Sequence, residues 1–301
     1  MTRKALSPLL RRGRGLFAVL AALALSGPSP PPAARPALWR VADADTTIYL
    51  FGTFHALPPG YAWEDATLKQ AFTRADRLII ETIVGDPQAM GALLFRLGTP
   101  ATPLPPLLDR VPAGKRAEFA EIVKRSGLPV AMLDRLETWA AAFLLVQPMM
   151  ADLGITGSEG VEEKLKAAFE ANSRPIGELE TVEEQLGYID GLAEADQRAF
   201  LESFIEQASD MRAEFAAMLA AWARGDERAI ADTFDKELKE SPGLHQALLV
   251  RRNAHWANEI KARLDDTPGT ILVAVGAGHL AGPDSVQEML EQRGLVVTRV
   301  Q

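Results

Sequence analysis

Apolar positions fall into two strand-like blocks at the ends of the chain, with a long helix-like stretch between them. Leu38 to Val41 and Thr46 to Phe51 are short β-prone runs parted by Ala42-Asp43-Ala44-Asp45, the pattern of a hairpin. A helix is expected over Asp65 to Ala75, then a strand over Arg77 to Glu81 around Leu78-Ile79-Ile80, so the opening reads β-β-α-β. The ending reads β-α-β, with strands over Thr270 to Val275 and Leu295 to Val300 and a helix over Pro283 to Arg293. Between the two ends, Phe200, Leu201, Phe204, Ile205, Ala208, Met211, Phe215, Met218, Leu219 and Trp222 recur at three- and four-residue spacing. That stripe predicts one face of a long helix packed into the core. Thr181 with Glu184 matches a capping box, and Pro129, Pro148 and Gly154 are expected to punctuate the earlier helices. A further helix is expected over Gly243 to Leu264. The predicted fold is α/β (α+β-like): one sheet built from N- and C-terminal segments, with a large helical insert over about 113–265.

Composition narrows the chemistry. The chain has 301 residues and no cysteine, so disulfides, Cys-ligated zinc, iron–sulfur clusters and thiol nucleophiles are excluded. Catalysis must use oxygen or imidazole groups. The formal charge is −8, and the basic residues of the first 26 positions (Arg3, Lys4, Arg11, Arg12, Arg14) leave the remainder more acidic still, which disfavours a nucleic-acid partner. Those residues precede an apolar run from Gly15 to Leu25, so residues 1–26 read as a secretory signal peptide and the mature protein as periplasmic or secreted. The run is too short to cross a bilayer, and no stable membrane span is expected after cleavage. Residues 27–37, rich in proline, read as an extended linker before a single domain over 38–301.

The sharpest motif occurs twice. Ile48-Tyr49-Leu50-Phe51-Gly52-Thr53-Phe54-His55 and Leu272-Val273-Ala274-Val275-Gly276-Ala277-Gly278-His279 are each an apolar strand followed by Gly-x-x-His. In an open α/β sheet, reactive groups gather at the carboxyl ends of strands, where glycine permits close backbone approach. Both histidines are therefore expected at one crevice, with Glu81, which ends the strand Leu78-Ile79-Ile80, on the same rim. Two imidazoles and a carboxylate suit a divalent ion such as zinc, manganese or cobalt; a histidine after a strand also serves as a hydrogen-bonding turn residue. Gly276 to Gly282 superficially resembles a dinucleotide fingerprint, but the next strand ends without an acid for a ribose hydroxyl. Thr156-Gly157-Ser158-Glu159-Gly160 only approximates a nucleophile elbow. His245 and His255 lie on different sides of their helix and read as structural.

Taken together, Trp39 through His55, Glu81-Thr82, Leu179-Glu180-Thr181 with Gln185, Arg252-Asn253 and Gly276 to His279 resemble the TraB/GumN family, related to the Tiki metalloproteases. The resemblance implies a split-sheet fold akin to erythromycin-esterase and haem-binding ChaN-like proteins, with hydrolase chemistry dependent on manganese or cobalt. It also implies a centre formed by His55, Glu81 and His279. Glu180 is then expected as a second carboxylate that accepts a proton, or else as helix N-terminal electrostatics. Arg252 and Asn253 are expected to bind substrate, Arg252 through paired bonds to a carboxylate. The expected activity is that of an exported metalloprotease-like hydrolase acting on a peptide or small-molecule substrate; the alternative is a non-catalytic haem- or metal-binding envelope protein.

Overall fold

The computed structural model describes residues 34–152, 159–208, 210–238 and 241–301, without the side chains of 152 and 235–238. The expected signal peptide, most of the linker, Gly154 and residues 156–158 lie outside the described residues. Four residues assigned to the linker do not behave as a tether. Ala34 and Ala37 are buried, and the Arg35 N–H donates to the Ala223 carbonyl at 2.7 Å, so residues 34–37 are packed with the residues that follow.

The sheet has six strands: β1 Leu38–Ala42, β2 Thr46–Thr53, β3 Arg77–Ile80, β4 Ile176–Glu178, β5 Gly269–Gly276 and β6 Val297–Arg299. Their order is β4-β3-β5-β2-β1-β6. β1 and β2 form the expected hairpin, β6 pairs antiparallel with β1, and β2, β5, β3 and β4 run parallel. The union of the two chain ends is the β2–β5 ladder, which runs from Thr46 opposite Gly269 to Thr53 opposite Gly276. β4 adds to the expected organisation: the region 113–265, mostly helical, also contributes the edge strand beside β3. A three-residue strand of Ile-Gly-Glu carries too little alternation to stand out.

The α-helices longer than four residues are α1 Ala66–Arg74, α2 Pro87–Leu97, α3 Arg116–Ser126, α4 Thr138–Asp152, α5 Val161–Ala171, α6 Val182–Asp190, α7 Glu194–Gln207, α8 Met211–Ala223, α9 Glu227–Leu238, α10 Arg251–Asp266 and α11 Val286–Glu291. Alternation along the strands sorts the core onto two faces. Phe51, Leu78, Ile80, Leu272 and Ala274 pack with α1, α5 and Trp222, while Ile48, Leu50, Ile271, Val273 and Val275 pack with Trp256, Ile260 and Leu264 of α10 and with α11. A third apolar cluster holds α3, α4 and α7 together around Phe119, Trp139 and Leu201. Pro148 lies inside α4 instead of ending it, at the cost of the ladder bond that its missing N–H would have made to the Leu144 carbonyl. Thr181 and Glu184 form the expected capping box at α6. No helix among the described residues is long and apolar enough to cross a membrane.

The stripe from Phe200 to Trp222 needs a second correction. It lies on two helices, α7 and α8, separated at 208–210, and its parts face different surroundings. Leu201 and Ile205 are wholly buried in the core, whereas Met211, Phe215 and Met218 line a cavity that the buried Trp222 also borders. Apolar side chains at helical spacing serve a cavity wall as well as a core. Leu201→Ala is therefore expected to lower stability by about 2–5 kcal/mol. Phe215→Ala, already bordering open space, should lower it by clearly less; equal losses in denaturant melts would return Phe215 to the core.

Candidate functional site

The four parallel strands end along one edge of the sheet, and each delivers one charged or imidazole side chain there: His55 beyond β2, Glu81 after β3, Glu180 beyond β4 and His279 beyond β5. The short link from β4 continues the pairing, with the Glu180 N–H donating to the Glu81 carbonyl at 3.0 Å. The two Gly-x-x-His segments pack against each other through their glycines. A Cβ on Gly52 would stand 3.2 Å from Cα of Ala277. A Cβ on Gly276 would stand 3.1 Å from both Glu81 Oε1 and His55 Nε2. Gly276 thus leaves a small cradle between carboxylate and imidazole, while Gly52 admits the backbone of Ala277; close approach explains the glycine in both copies of the motif, with a different neighbour in each.

Glu81 is the hub. Its Oε1 accepts the Gly276 N–H at 2.6 Å and lies 3.9 Å from His279 Nε2. Its Oε2 accepts from Arg252 Nη2 at 2.8 Å and from Gln185 Nε2 at 3.4 Å. Burial would raise the carboxyl pKa, but the charges of His279, Arg252 and His55, with the Gly276 N–H, outweigh it and hold the group down at about 2.

Both imidazoles are anchored through Nδ1. The Arg252 guanidinium lies 3.1 Å from His279 Nε2 and can only donate, so Nε2 accepts and Nδ1 carries the proton. That Nδ1–H donates to Asn253 Oδ1 at 2.6 Å, and Asn253 is oriented in turn by donating to the Asp284 carbonyl at 2.7 Å. Burial, seconded by Arg252 and His55, pushes the His279 pKa down to about 3 against the pull of Glu81, leaving a neutral ring packed 4.4 Å from Trp256. His55 Nδ1 lies 2.7 Å from Glu162 Oε1. His55 borders the cavity with 68% of its side chain exposed, and Glu162, with Glu81 behind it, outweighs the desolvation of the ring and raises the pKa to about 9.

Glu162 has no counterpart among the residues expected from sequence. It sits in the first turn of α5, brought to β2 by the Val161 N–H donating to the Phe54 carbonyl at 3.1 Å, and it also accepts from the Thr53 hydroxyl. Acids in a first helical turn ordinarily serve the helix dipole, so sequence alone gave no reason to single it out. Glu162→Gln is expected to bring the His55 titration down from about 9 toward the ordinary imidazole value of about 6.5, followed by histidine ring NMR. An unchanged titration would remove Glu162 from the pair.

Three expected roles are corrected by the geometry. Glu180 does not line the cavity: its side chain is wholly buried, with Oε1 bonded to Arg252 Nε and Nη2 at 2.9 and 2.6 Å and Oε2 to Trp256 Nε1 at 3.0 Å. Burial pushes its pKa up despite these donors, but its place is that of a positioning group for Arg252 rather than a proton acceptor. Arg252 itself faces the cavity with all five N–H groups engaged, to Glu180, Glu81, His279 and the Leu248 carbonyl, so none is left for a substrate carboxylate. Asn253 is buried and spent on His279 and Asp284 rather than on substrate. A π-helical turn, Gln246–Val250, leads into α10 immediately before this pair. His245 and His255 stay outside the centre, near Asp284 and the Leu179 carbonyl.

The centre opens into a cavity of about 520 Å³ whose wall is mostly apolar, including Phe54, Met150, Phe215, Met218 and Trp222. Among the described residues no three carboxylates and imidazoles are already gathered to hold a metal, and Arg252 stands beside Glu81 and His279. The donor chemistry nevertheless suits a divalent ion: His55 Nε2 and the ionised Glu81 flank the cradle at Gly276, and His279 Nε2, 3.9 Å from Glu81 Oε1, joins them once the Arg252 Nη1 donor turns away from it.

A model of the TraB/PrgY/gumN family matches residues 37–299. The uncharacterized protein YbaP of Escherichia coli (strain K12) is 25% identical over 251 residues, 81% of this chain and 87% of the relative. An uncharacterized protein of Treponema pallidum (strain Nichols) is 22% identical over 276 residues, 86% of this chain and 81% of the relative. No solved structure matches the chain.

Proposed function

The chain belongs to the TraB/PrgY/gumN family, and from that premise we propose that it is an exported, metal-dependent hydrolase of peptide or related amide bonds centred on His55, Glu81 and His279. The observation that carries this reading is the anchoring of both imidazoles at Nδ1, by Glu162 and Asn253, with an ionised carboxylate between them. Imidazoles that ligate metals characteristically give their other ring nitrogen to such a partner.

His55, Glu81 and His279 would hold the ion, manganese, cobalt or zinc, which when bound polarises a carbonyl and lowers the pKa of water. The side chains around it have separable tasks. Asn253 keeps His279 in the tautomer whose lone pair is on Nε2. His55 would hold the ion through Nε2 as a neutral ring, its Nδ1–H donated to Glu162. Arg252, set by Glu180, holds Glu81 ionised and fixed. The apolar wall excludes water around the attacked bond.

A second reading, a haem- or metal-binding envelope protein related to ChaN-like folds, draws support from the sealing of Glu180, which leaves the expected second carboxylate away from the cavity. Incubating the mature protein with a peptide library after chelation, and again after adding manganese, cobalt or zinc, separates the two. Cleavage only in the reloaded samples is expected. Metal uptake without turnover of any peptide would favour the binding protein, and equal cleavage in chelator would remove the ion from the mechanism.

A further inference from the structure

The cavity at the centre is one half of a two-lobed cleft. The second lobe, about 360 Å³, is lined by Val146, Phe200, Phe204, Leu244 and Leu248, and it meets the first along a shared seam of Gln207, Met211, Phe234, Leu249, Arg252 and His279. Gln207, Arg252 and His279 thus stand at the seam; beyond it the second lobe is apolar but for Ser203, and the first is mostly apolar, with Thr53, His55, Glu81, Gln185, Glu214 and Thr233 as its polar groups. A pocket of a few hundred Å³ lined this way is filled by large apolar groups, with the few polar residues fixing orientation.

Resting on the hydrolase reading above, we propose that the substrate is a peptide carrying bulky apolar residues on both sides of the attacked bond, one seated in each lobe. A polar backbone crossing the seam, with an apolar side chain turned into each lobe, matches the order of the wall. One long acyl chain would have to run its methylenes past Arg252 and His279. Charge points the same way. The side-chain cations on the wall among the described residues are already paired, Arg252 with Glu81 and Glu180 and His55 with Glu162, so apart from the ion of the hydrolase reading, which the attacked carbonyl would face, no side-chain cation awaits a fatty carboxylate or phosphate headgroup. The methionines Met150, Met211 and Met218 give the wall an adaptable surface, suited to several large side chains rather than one.

The test uses the manganese-loaded mature protein and a peptide library varied at the two positions flanking the bond. Large apolar residues at both positions are expected to raise kcat/KM by about 10-fold or more over serine, glycine or charged residues. Met218→Trp, filling the first lobe, should shrink the preferred residue on one side only, and Ser203→Phe, on the wall of the second lobe, on the other side only, with metal content unchanged. Cleavage indifferent to the flanking residues, or both variants acting on the same position, would overturn the inference while leaving the hydrolase standing. If no peptide is cleaved, calorimetry with the same peptides decides separately. Tighter binding of doubly apolar peptides, weakened by each variant, would keep the cleft assignment and sink the hydrolase; binding without preference would overturn both. A long-chain fatty amide that competes better than every peptide would also overturn it, in favour of a lipid ligand.

Discussion

Glu81→Gln is expected to lower peptide hydrolysis by at least about 100-fold while leaving a folded protein. Loss of a mere outer partner of a metal ligand costs about 10–100-fold, which sets the floor for losing a ligand itself. The amide keeps an oxygen for the Gly276 N–H but gives up the charge that faces Arg252 and the two imidazoles. Arg252 keeps Glu180, so its own burial remains compensated. The variant also carries an acid signature. A carboxyl held at about 2 in the folded chain, against an ordinary 4.5, stabilises the wild type above the ordinary value and loses that contribution as pH falls toward 2. Stability of the wild type and Glu81→Gln should therefore converge in strong acid and diverge toward neutrality. Activity within about 3-fold of wild type, in a range where losing one positioned catalytic group costs about 10²–10⁴-fold, would take Glu81 out of the centre.

Glu180→Ala should act first on stability, lowering it by about 3–5 kcal/mol, the usual result of removing one partner from a buried ion pair. Arg252 would lose the acceptor of its Nε and one of two on Nη2, and Trp256 Nε1 would be left buried without a partner. Denaturant unfolding measures this directly. A proton acceptor at an open site would behave in the opposite way, with stability preserved and turnover lost. That outcome would restore the role expected from sequence.

The paired Gly-x-x-His segments were legible because their causes are local: an apolar strand, a glycine at the close approach, and an imidazole just past the carboxyl end. Glu81 was legible for the same reason. Glu162 was not, because its meeting with His55 depends on where α5 begins relative to β2. The full engagement of Arg252 also escaped, since residue type tells that a guanidinium can hold a carboxylate but not whether its donors are already used. Helical periodicity located Met211, Phe215 and Met218 on an inward face, yet it cannot distinguish a filled interior from a cavity. The strand β4 was missed because pairing with β3, not its own three residues, makes it extended.

The most direct measurement is the metal content of the mature protein, purified without chelator and dialysed against excess manganese, cobalt or zinc, beside His55→Ala, Glu81→Gln and His279→Ala. One ion per chain in the wild type and strong depletion in all three variants, with circular dichroism unchanged, is the expected result, because ligands of one site fail together. Wild-type metal content in His55→Ala and His279→Ala would contradict a shared centre at the sheet edge.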